Sequence, residues 1–548
     1  MYYTKYDSEA KVWEGPEDYR SFFHPSISAG QAILHLLSIK PDRVNLISAD
    51  DGSSLTNAQV YAAALKIAWN LRTRGCAKGD VVVFIMRNSL YVTSAILGSL
   101  YIGAPISGLD PAFSKKELLH SFTMTKPKFV FCDDTEVNLI QDVILELGTD
   151  TQIIVVGKKI PELLHLDDFL LGDLKDDGIQ KLIFHPPRVS EADVSAIVCT
   201  SGTTGFSKGI IMSHEVYLTT FNVPRIVDFI NEGDAFMSYS TAYWCTFHIA
   251  LLSGALKGGV RIITRDPFTP SGFLKIAKQY NLSYFMSTPI HAGLLLKHPD
   301  FQPNCLPNLK YYGCMGSALS HALATDLQQH LPSAKIANFY GMNEVGSITT
   351  HVFDPAITAL GVLTEGVTAM ILDEDGQRMD VGEQGEICVK TISQFTGYCG
   401  NPDAMKEVID DDGWVHTGDV GFFDQDGYLH YVERKKESIK YKLYHVAPGD
   451  VEQVIEKHPA VFQVALVGIP DPLCIDLPAA AVVKKDGCHV TEQEIIELVD
   501  SNVMDAMRLR GGVFFMDNLP MTPSGKVKKN VIRNRVTELY NERKTTRN

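Results

Sequence analysis

The segment Thr200-Ser201-Gly202-Thr203-Thr204-Gly205-Phe206-Ser207-Lys208-Gly209 gathers the groups that hold phosphate. Its glycines let the backbone approach an anion, its hydroxyls and free N–H groups donate to phosphate oxygens, and Lys208 adds a positive charge. It follows the apolar run 194–199, which reads as a strand. The spacing departs from G-x-x-x-x-G-K-[ST], so this is not the usual P-loop, and composition alone also fits a solvated turn. Thiol and metal chemistry have less support. Ten cysteines run from Cys76 to Cys488 without a C-x-x-C pair, which matches neither a zinc framework nor a disulfide scaffold. Reduced, intracellular cysteines are the expectation.

A chain of 548 residues can supply several units of roughly 150 residues, merged or separate, to position such a loop. With 45% hydrophobic and 21% charged residues, it is neither disordered, collagen-like nor coiled-coil. The formal charge of −15 disfavours nucleic acid and anionic membranes as partners, because the field repels phosphates. The first residues, Met1-Tyr2-Tyr3-Thr4-Lys5-Tyr6-Asp7, lack the apolar core of a signal peptide and are expected to remain on the mature protein. The stretches 88–109 and 235–256 are free of Asp, Glu, Lys and Arg, yet Pro105 in the first and His248 in the second make buried core the better reading. No integral membrane segment is expected.

From Val44 to Gly157, short apolar runs alternate with helical patterns, the mark of a mostly parallel sheet in a doubly wound α/β body. Thr56 and Gln59 form a capping box before Val60, Ala64, Ile67 and Leu71, and Ser114 with Glu117 forms another. Residues 81–86 and 129–132 read as buried strands. Turns at Gly382-x-x-Gly385 and Asp424-Gln425-Asp426-Gly427 predict a β-rich subdomain before residue 430. The charged run 433–442 has no apolar period and reads as a domain boundary. Beyond it, the strands 464–469 and 479–483 and the helix 492–499 suffice for a small α+β domain. The expected architecture is α/β: a large N-terminal domain of α/β layers with a β-rich subdomain over 1–433, a hinge at 434–437, and a small mobile C-terminal α+β domain over 438–548.

The order of residues in the 200–209 loop resembles the signature loop of the adenylate-forming superfamily, which includes acyl-CoA synthetases, 4-coumarate:CoA ligases and beetle luciferases. Tyr340-Gly341-Met342-Asn343-Glu344 resembles the family's Tyr-Gly-x-Thr-Glu, and Gly413-Trp414-Val415-His416-Thr417-Gly418-Asp419 its Gly-Trp-x-x-Thr/Ser-Gly-Asp. Arg434 and Lys436 sit where its hinge lies, and Pro523-Ser524-Gly525-Lys526 resembles its C-terminal Gly-Lys. Five motifs spread over residues 200 to 526 make the similarity essentially end to end, and it is nearest to insect luciferase-like acyl-CoA synthetases.

The resemblance implies two steps: a carboxylate attacks the α-phosphorus of ATP to give an acyl-adenylate and pyrophosphate, and the thiol of coenzyme A then takes the acyl group. It assigns ATP/AMP binding to Thr200, Ser201, Gly202, Thr203, Thr204, Gly205, Lys208, Gly316, Ser317, Ala318, Tyr340, Gly341, Asn343, Asp419 and Arg434. Within that set, Thr203, Thr204 and Lys208 hold the β and γ phosphates and Asp419 accepts from both ribose hydroxyls. Glu344 holds Mg²⁺. Lys526 stabilises charge in the adenylation transition state. Closure over the hinge at Lys436 assembles the site, and a second arrangement brings Lys440 toward the nucleotide. The expected partner is a small carboxylic acid.

Four departures fall at or near functional positions. Tyr243-Trp244 stands where the family commonly has a histidine, and His248, four residues late, reads as a core or pocket-edge residue. Asn343 replaces the motif threonine. Met315 replaces a luciferase pocket glycine and favours an aliphatic chain, such as a medium or long fatty acid, over a planar heteroaromatic acid. Leu443 stands where glycine usually borders the pantetheine tunnel, which puts thioester formation in more doubt than adenylation. A luciferase-like oxygenase and a nucleotide-binding protein with little turnover are the rival readings. The chain ends Thr546-Arg547-Asn548 rather than in a Ser-Lys-Leu type address, so the cytoplasm is expected.

Overall fold

The computed structural model describes residues 4–17, 24, 26–199, 208–222, 229–317, 319–354, 359–392, 394–435, 439–442, 444–521 and 526–547. Two large sheets form the N-terminal body. One has eight strands whose central members, Val194–Cys199, Ile106–Gly108, Val82–Ile85, Phe129–Asp133 and Gln152–Val156, run parallel. The other has nine, with Val44–Ser48, Val260–Ile263, Ala235–Ser238, Tyr284–Ser287, Tyr311–Met315 and Lys335–Met342 parallel and antiparallel strands at both ends.

Local chemistry sets the helices between these strands. Thr56 accepts from the Gln59 backbone N–H while the Gln59 side chain accepts from that of Thr56, and Val60, Ala64, Ile67 and Leu71 of the helix Asn57–Thr73 face the core. Ser114 and Glu117 cap Lys115–Thr125 in the same way. Every residue of the helix Val92–Tyr101 is buried, which explains the first uncharged stretch: it is core between helices Ala29–Ile39 and Asn57–Thr73. The second stretch holds the strand Ala235–Ser238 and the helix Cys245–Lys257. Among the described residues no helix is long and apolar enough to cross a membrane.

A six-stranded antiparallel sheet, including Val367–Leu372, Gly385–Thr391, Val415–Phe423 and Leu429–Arg434, makes the β-rich subdomain. The turn Asp424–Gly427 joins its last two strands, as the sequence predicts. The smaller C-terminal domain has its own hydrophobic core, from Ile439 to Val536, around the paired strands Val461–Asp471 and Ile475–Lys484 and the helix Glu492–Asp500. It touches the large domain where Lys297 lies 3.6 Å from the Phe462 ring centroid and Lys440 Nζ 3.7 Å from Glu374 Oε1.

Candidate active site

Ligands of open α/β sheets bind beyond the carboxyl ends of the parallel strands. At the ends of Tyr311–Met315 and Lys335–Met342 stand the exposed Gly316 and Ser317 and the segment Tyr340–Glu344. Lys335–Met342 turns back into Gly346–Val352 through Asn343, Glu344 and Val345. Gly341 is required here, because a Cβ would lie 2.3 Å from the Gly346 carbonyl oxygen. The tight reversal sends Glu344 inward, where it is only 8% exposed.

Tyr398 OH donates to Glu344 Oε1 at 2.9 Å. Lys208 Nζ lies 5.0 Å from the Tyr398 ring centroid and 3.5 Å from Glu407 Oε2. The strand Gly209–Ser213, which follows Lys208, brings these groups together by pairing Ile210 with Tyr398. Burial pushes the Glu344 carboxyl above its ordinary value, while the Tyr398 hydrogen bond and the charges of Arg434 and Lys208 pull it back. The result is one buried carboxylate among cations. That donor set suits Mg²⁺, which commonly takes one or two carboxylates and completes its shell with water and substrate phosphates.

A second cluster forms around Asp419. The strand pairing sets Glu386 opposite Val420 and Cys388 opposite His416, so Thr417–Asp419 face the single residue Ile387. Gly418 takes φ +70 within this bulge, a conformation open to glycine at little cost, and bulges of this kind re-aim side chains beside active sites. Three bonds lock it: Thr417 Oγ1 donates to the Ile387 carbonyl (2.8 Å), the Asp419 N–H to Thr417 Oγ1 (3.1 Å), and the Lys435 N–H to the Gly418 carbonyl (2.8 Å). Asp419 Oδ2 accepts from Tyr340 OH at 2.8 Å, and Oδ1 meets Arg434 Nε at 3.0 Å. A carboxylate offers about four acceptor positions, so this one can also accept from a diol.

Trp244, at the segment expected to line the acyl pocket, opens the helix Cys245–Lys257 and stays partly exposed. Tyr243 lies beneath it, buried with Leu109, Phe113 and Cys199 and edge-on to Phe113 and Trp244. Met315 packs instead against the large cluster that holds Phe247 and Phe339. Burial raises the Cys245 thiol, and the charge of Lys526 pulls it the other way. The charge of Lys526, from the small domain, is thus felt at Cys245, the first residue of the helix Cys245–Lys257. His248 is a core residue: its Nδ1 accepts from Tyr217 OH at 2.8 Å, its Nε2 donates to the Ala242 carbonyl at 3.0 Å, and burial lowers it to about 4.

Of the residues singled out in the sequence, Lys208, Glu344, Tyr340, Asp419 and Arg434 come together, with Gly316, Ser317, Gly341 and Asn343 at neighbouring strand ends. Lys440 is turned toward Glu374 instead. Thr200, Ser201, Gly202, Thr203, Thr204, Gly205, Ala318, Lys436, Leu443 and the Pro523–Gly525 segment lie outside the described residues. Sequence reasoning missed Tyr398 and Cys245. Neither sits in a motif: Tyr398 acquires meaning only through its strand partner, and Cys245 only through a lysine 281 positions away.

Residues 37–399 match the family model of the AMP-binding enzymes, and residues 450–526 that of the AMP-binding enzyme C-terminal domain. The chain belongs to the AMP-binding enzyme family. It is 30% identical to luciferin 4-monooxygenase of Nipponoluciola cruciata over 80% of this chain and 81% of that protein. It is 29% identical to a 4-coumarate-CoA ligase of Humulus lupulus over 90% and 91%. Among solved structures, ATP-bound MatB from Rhodopseudomonas palustris superposes with a TM-score of 0.83 at 25% identity, over 94% of this chain and all of that one. The luciferase-like enzyme from the nonluminescent Zophobas morio mealworm superposes at 0.69, with 26% identity over 77% and 99%. The fold is that of the adenylate-forming enzymes, whose shared chemistry is activation of an acid through an acyl-adenylate.

Proposed function

We propose that the chain is an ATP- and Mg²⁺-dependent acid-thiol ligase that converts a hydrophobic carboxylic acid to its acyl-adenylate and then to a coenzyme A thioester. The observation that carries this reading is the pair of carboxylates at the strand ends: Glu344, buried and bonded by Tyr398 beside Lys208, and Asp419, held by Tyr340 and Arg434. Glu344 suits the metal at the phosphates and Asp419 the ribose diol, and Lys526, whose charge reaches Cys245, is the small domain's cation for the substrate carboxylate. In this reading the large domain spans 1–433, Lys436 is the hinge, and the small domain spans 438–548.

The roles follow from charge. Lys208, with Thr203 and Thr204, binds the outer phosphates, and Gly316, Ser317 and Ala318 contribute to nucleotide binding. Asp419 holds the ribose diol, its orientation fixed by Tyr340 and Arg434. Glu344 holds the metal, which supplies charge neutralisation at the phosphates when bound. Lys526 faces the charge that grows on the carboxylate and α-phosphate oxygens. Lys440, paired here with Glu374, belongs to the thioester half-reaction, reached after rotation at the hinge.

Met315, paired across strands with Phe339 and packed on the large apolar cluster, and Trp244 support a medium or long aliphatic acid as substrate. The relatives named for 4-coumarate and luciferin favour a planar aromatic acid as the second reading. A panel of fatty, hydroxycinnamic and luciferin-type acids in a pyrophosphate-release assay, with and without coenzyme A, tests the proposal. Fatty acids should give the highest kcat/KM. A preference for a phenolic acid overturns the aliphatic assignment, and light emission would support an oxygenase.

A further inference from the structure

Cysteine spacing along the chain shows no metal framework, but strand pairing makes a ligand set that spacing cannot reveal. Glu386 and Cys388 share one face of the strand Gly385–Thr391, and the pairing sets His416 directly across from Cys388. This face is turned away from the subdomain core, whose side takes Ile387, Val389 and Val415. His416 Nδ1 lies 3.4 Å from Cys388 Sγ and 3.2 Å from Glu386 Oε2. Cys388 is fully buried at the floor, and the other two are half-buried at the mouth.

We propose that Glu386, Cys388 and His416 form a site for a borderline-soft divalent cation, zinc foremost, outside the nucleotide crevice. Zinc bonds of about 2.3 Å to sulfur and about 2.0–2.1 Å to nitrogen or oxygen imply tetrahedral S···N and N···O edges of roughly 3.3–3.6 Å, close to the distances the side chains already keep. The mixture of thiolate, imidazole and carboxylate selects zinc over magnesium or calcium, whose ligands are all oxygen. Asp410 Oδ2, 3.5 Å from His416 Nε2, stands where a carboxylate orients a metal-bound imidazole through its other nitrogen. The fourth position is left to water.

Lys435 now places its ammonium 2.8 Å from Glu386 Oε2, while Glu386 Oε1 accepts from the Gly418 N–H at 3.2 Å. The cation takes the place of that ammonium, and the Cys388 thiol releases one proton to solvent as the sulfur–metal bond forms. Lys435 is therefore a competitor for the site, and removing it tightens metal binding.

Cobalt(II) titration of the full-length, chelator-treated protein tests the proposal, because a thiolate–cobalt bond gives a charge-transfer band absent from carboxylate or imidazole complexes. One equivalent of cobalt should produce the band, zinc should abolish it, and Cys388→Ser should eliminate it. Lys435→Gln should bind cobalt about two- to fivefold more tightly, the scale of one exposed ion pair. Should Cys388→Ser fail to fold, His416→Gln, at a half-buried position, decides the matter by a loss of affinity of at least tenfold, with far-ultraviolet circular dichroism to verify the fold. Absence of the band in the parent protein, or a band that persists at parental affinity in both ligand variants, overturns the site.

Discussion

Glu344→Gln separates the functional role of this carboxyl from its structural one. The amide keeps shape and an acceptor for Tyr398 OH, now 2.9 Å away, but removes the negative charge that would face a metal. Burial raises the carboxyl above its ordinary value, so ionised Glu344 disfavours folding at neutral pH. The sign follows: in acid the native state protonates before the unfolded one, so the penalty is present above the folded value and gone below about 4.5, the unfolded value. The variant should therefore match or exceed the parent in stability at pH 7.5, by up to about 1–3 kcal/mol, the usual cost of burying an imperfectly paired polar group. The gap should close toward pH 4.5. Adenylation should nevertheless fall by roughly 10²–10³-fold, the scale for one preorganised charge contact, with a higher Mg²⁺ requirement. Urea unfolding at several pH values and Mg²⁺ titrations of pyrophosphate release supply the numbers. Unchanged Mg²⁺ dependence, or a variant less stable than the parent at pH 7.5, refutes the reasoning.

Lys526→Ala should lose adenylation by roughly 10²–10³-fold while ATP affinity changes little, measured by single-turnover kinetics and equilibrium binding; parental turnover removes it from the mechanism. Leu443→Gly should speed thioester formation by roughly 5- to 150-fold, the equivalent of about 1–3 kcal/mol of overpacking, without raising acid-dependent pyrophosphate exchange. Brisk thioester formation by the parent, unaltered by the substitution, would show the leucine to be neutral. Burial lowers His248 to about 4, so the unfolded chain binds a proton there below about 6.5 that the native state refuses. Its contribution holds above pH 6.5 and falls by about 3 kcal/mol as the pH drops to 4. Urea midpoints of His248→Gln should depend less steeply on pH across that window than those of the parent, and equal slopes contradict the assignment.

The parallel sheets, the capping boxes at Thr56 and Ser114, and the turn Asp424–Gly427 were legible because local pattern and tertiary demand agree at each. The family motifs likewise pointed to Glu344 and Asp419. What stayed hidden was created by pairing across long sequence separations: the Tyr398–Glu344 bond, the bulge that presents Asp419, and the Cys388–His416 contact. Tyr243-Trp244 read as a unit, yet Tyr243 is sunk among Leu109 and Phe113 while Trp244 keeps an exposed edge. Sequence adjacency at a helix start does not say which side chain is buried.

The chain is proposed to form an acyl-adenylate from ATP and a free acid. Exchange of radiolabelled pyrophosphate into ATP tests it most directly, since it reports reversal of that step without coenzyme A. Exchange should depend on added acid and on Mg²⁺ and be lost in Lys526→Ala. Exchange indifferent to acid, or none across fatty and aromatic acids while ATP still binds, would contradict it.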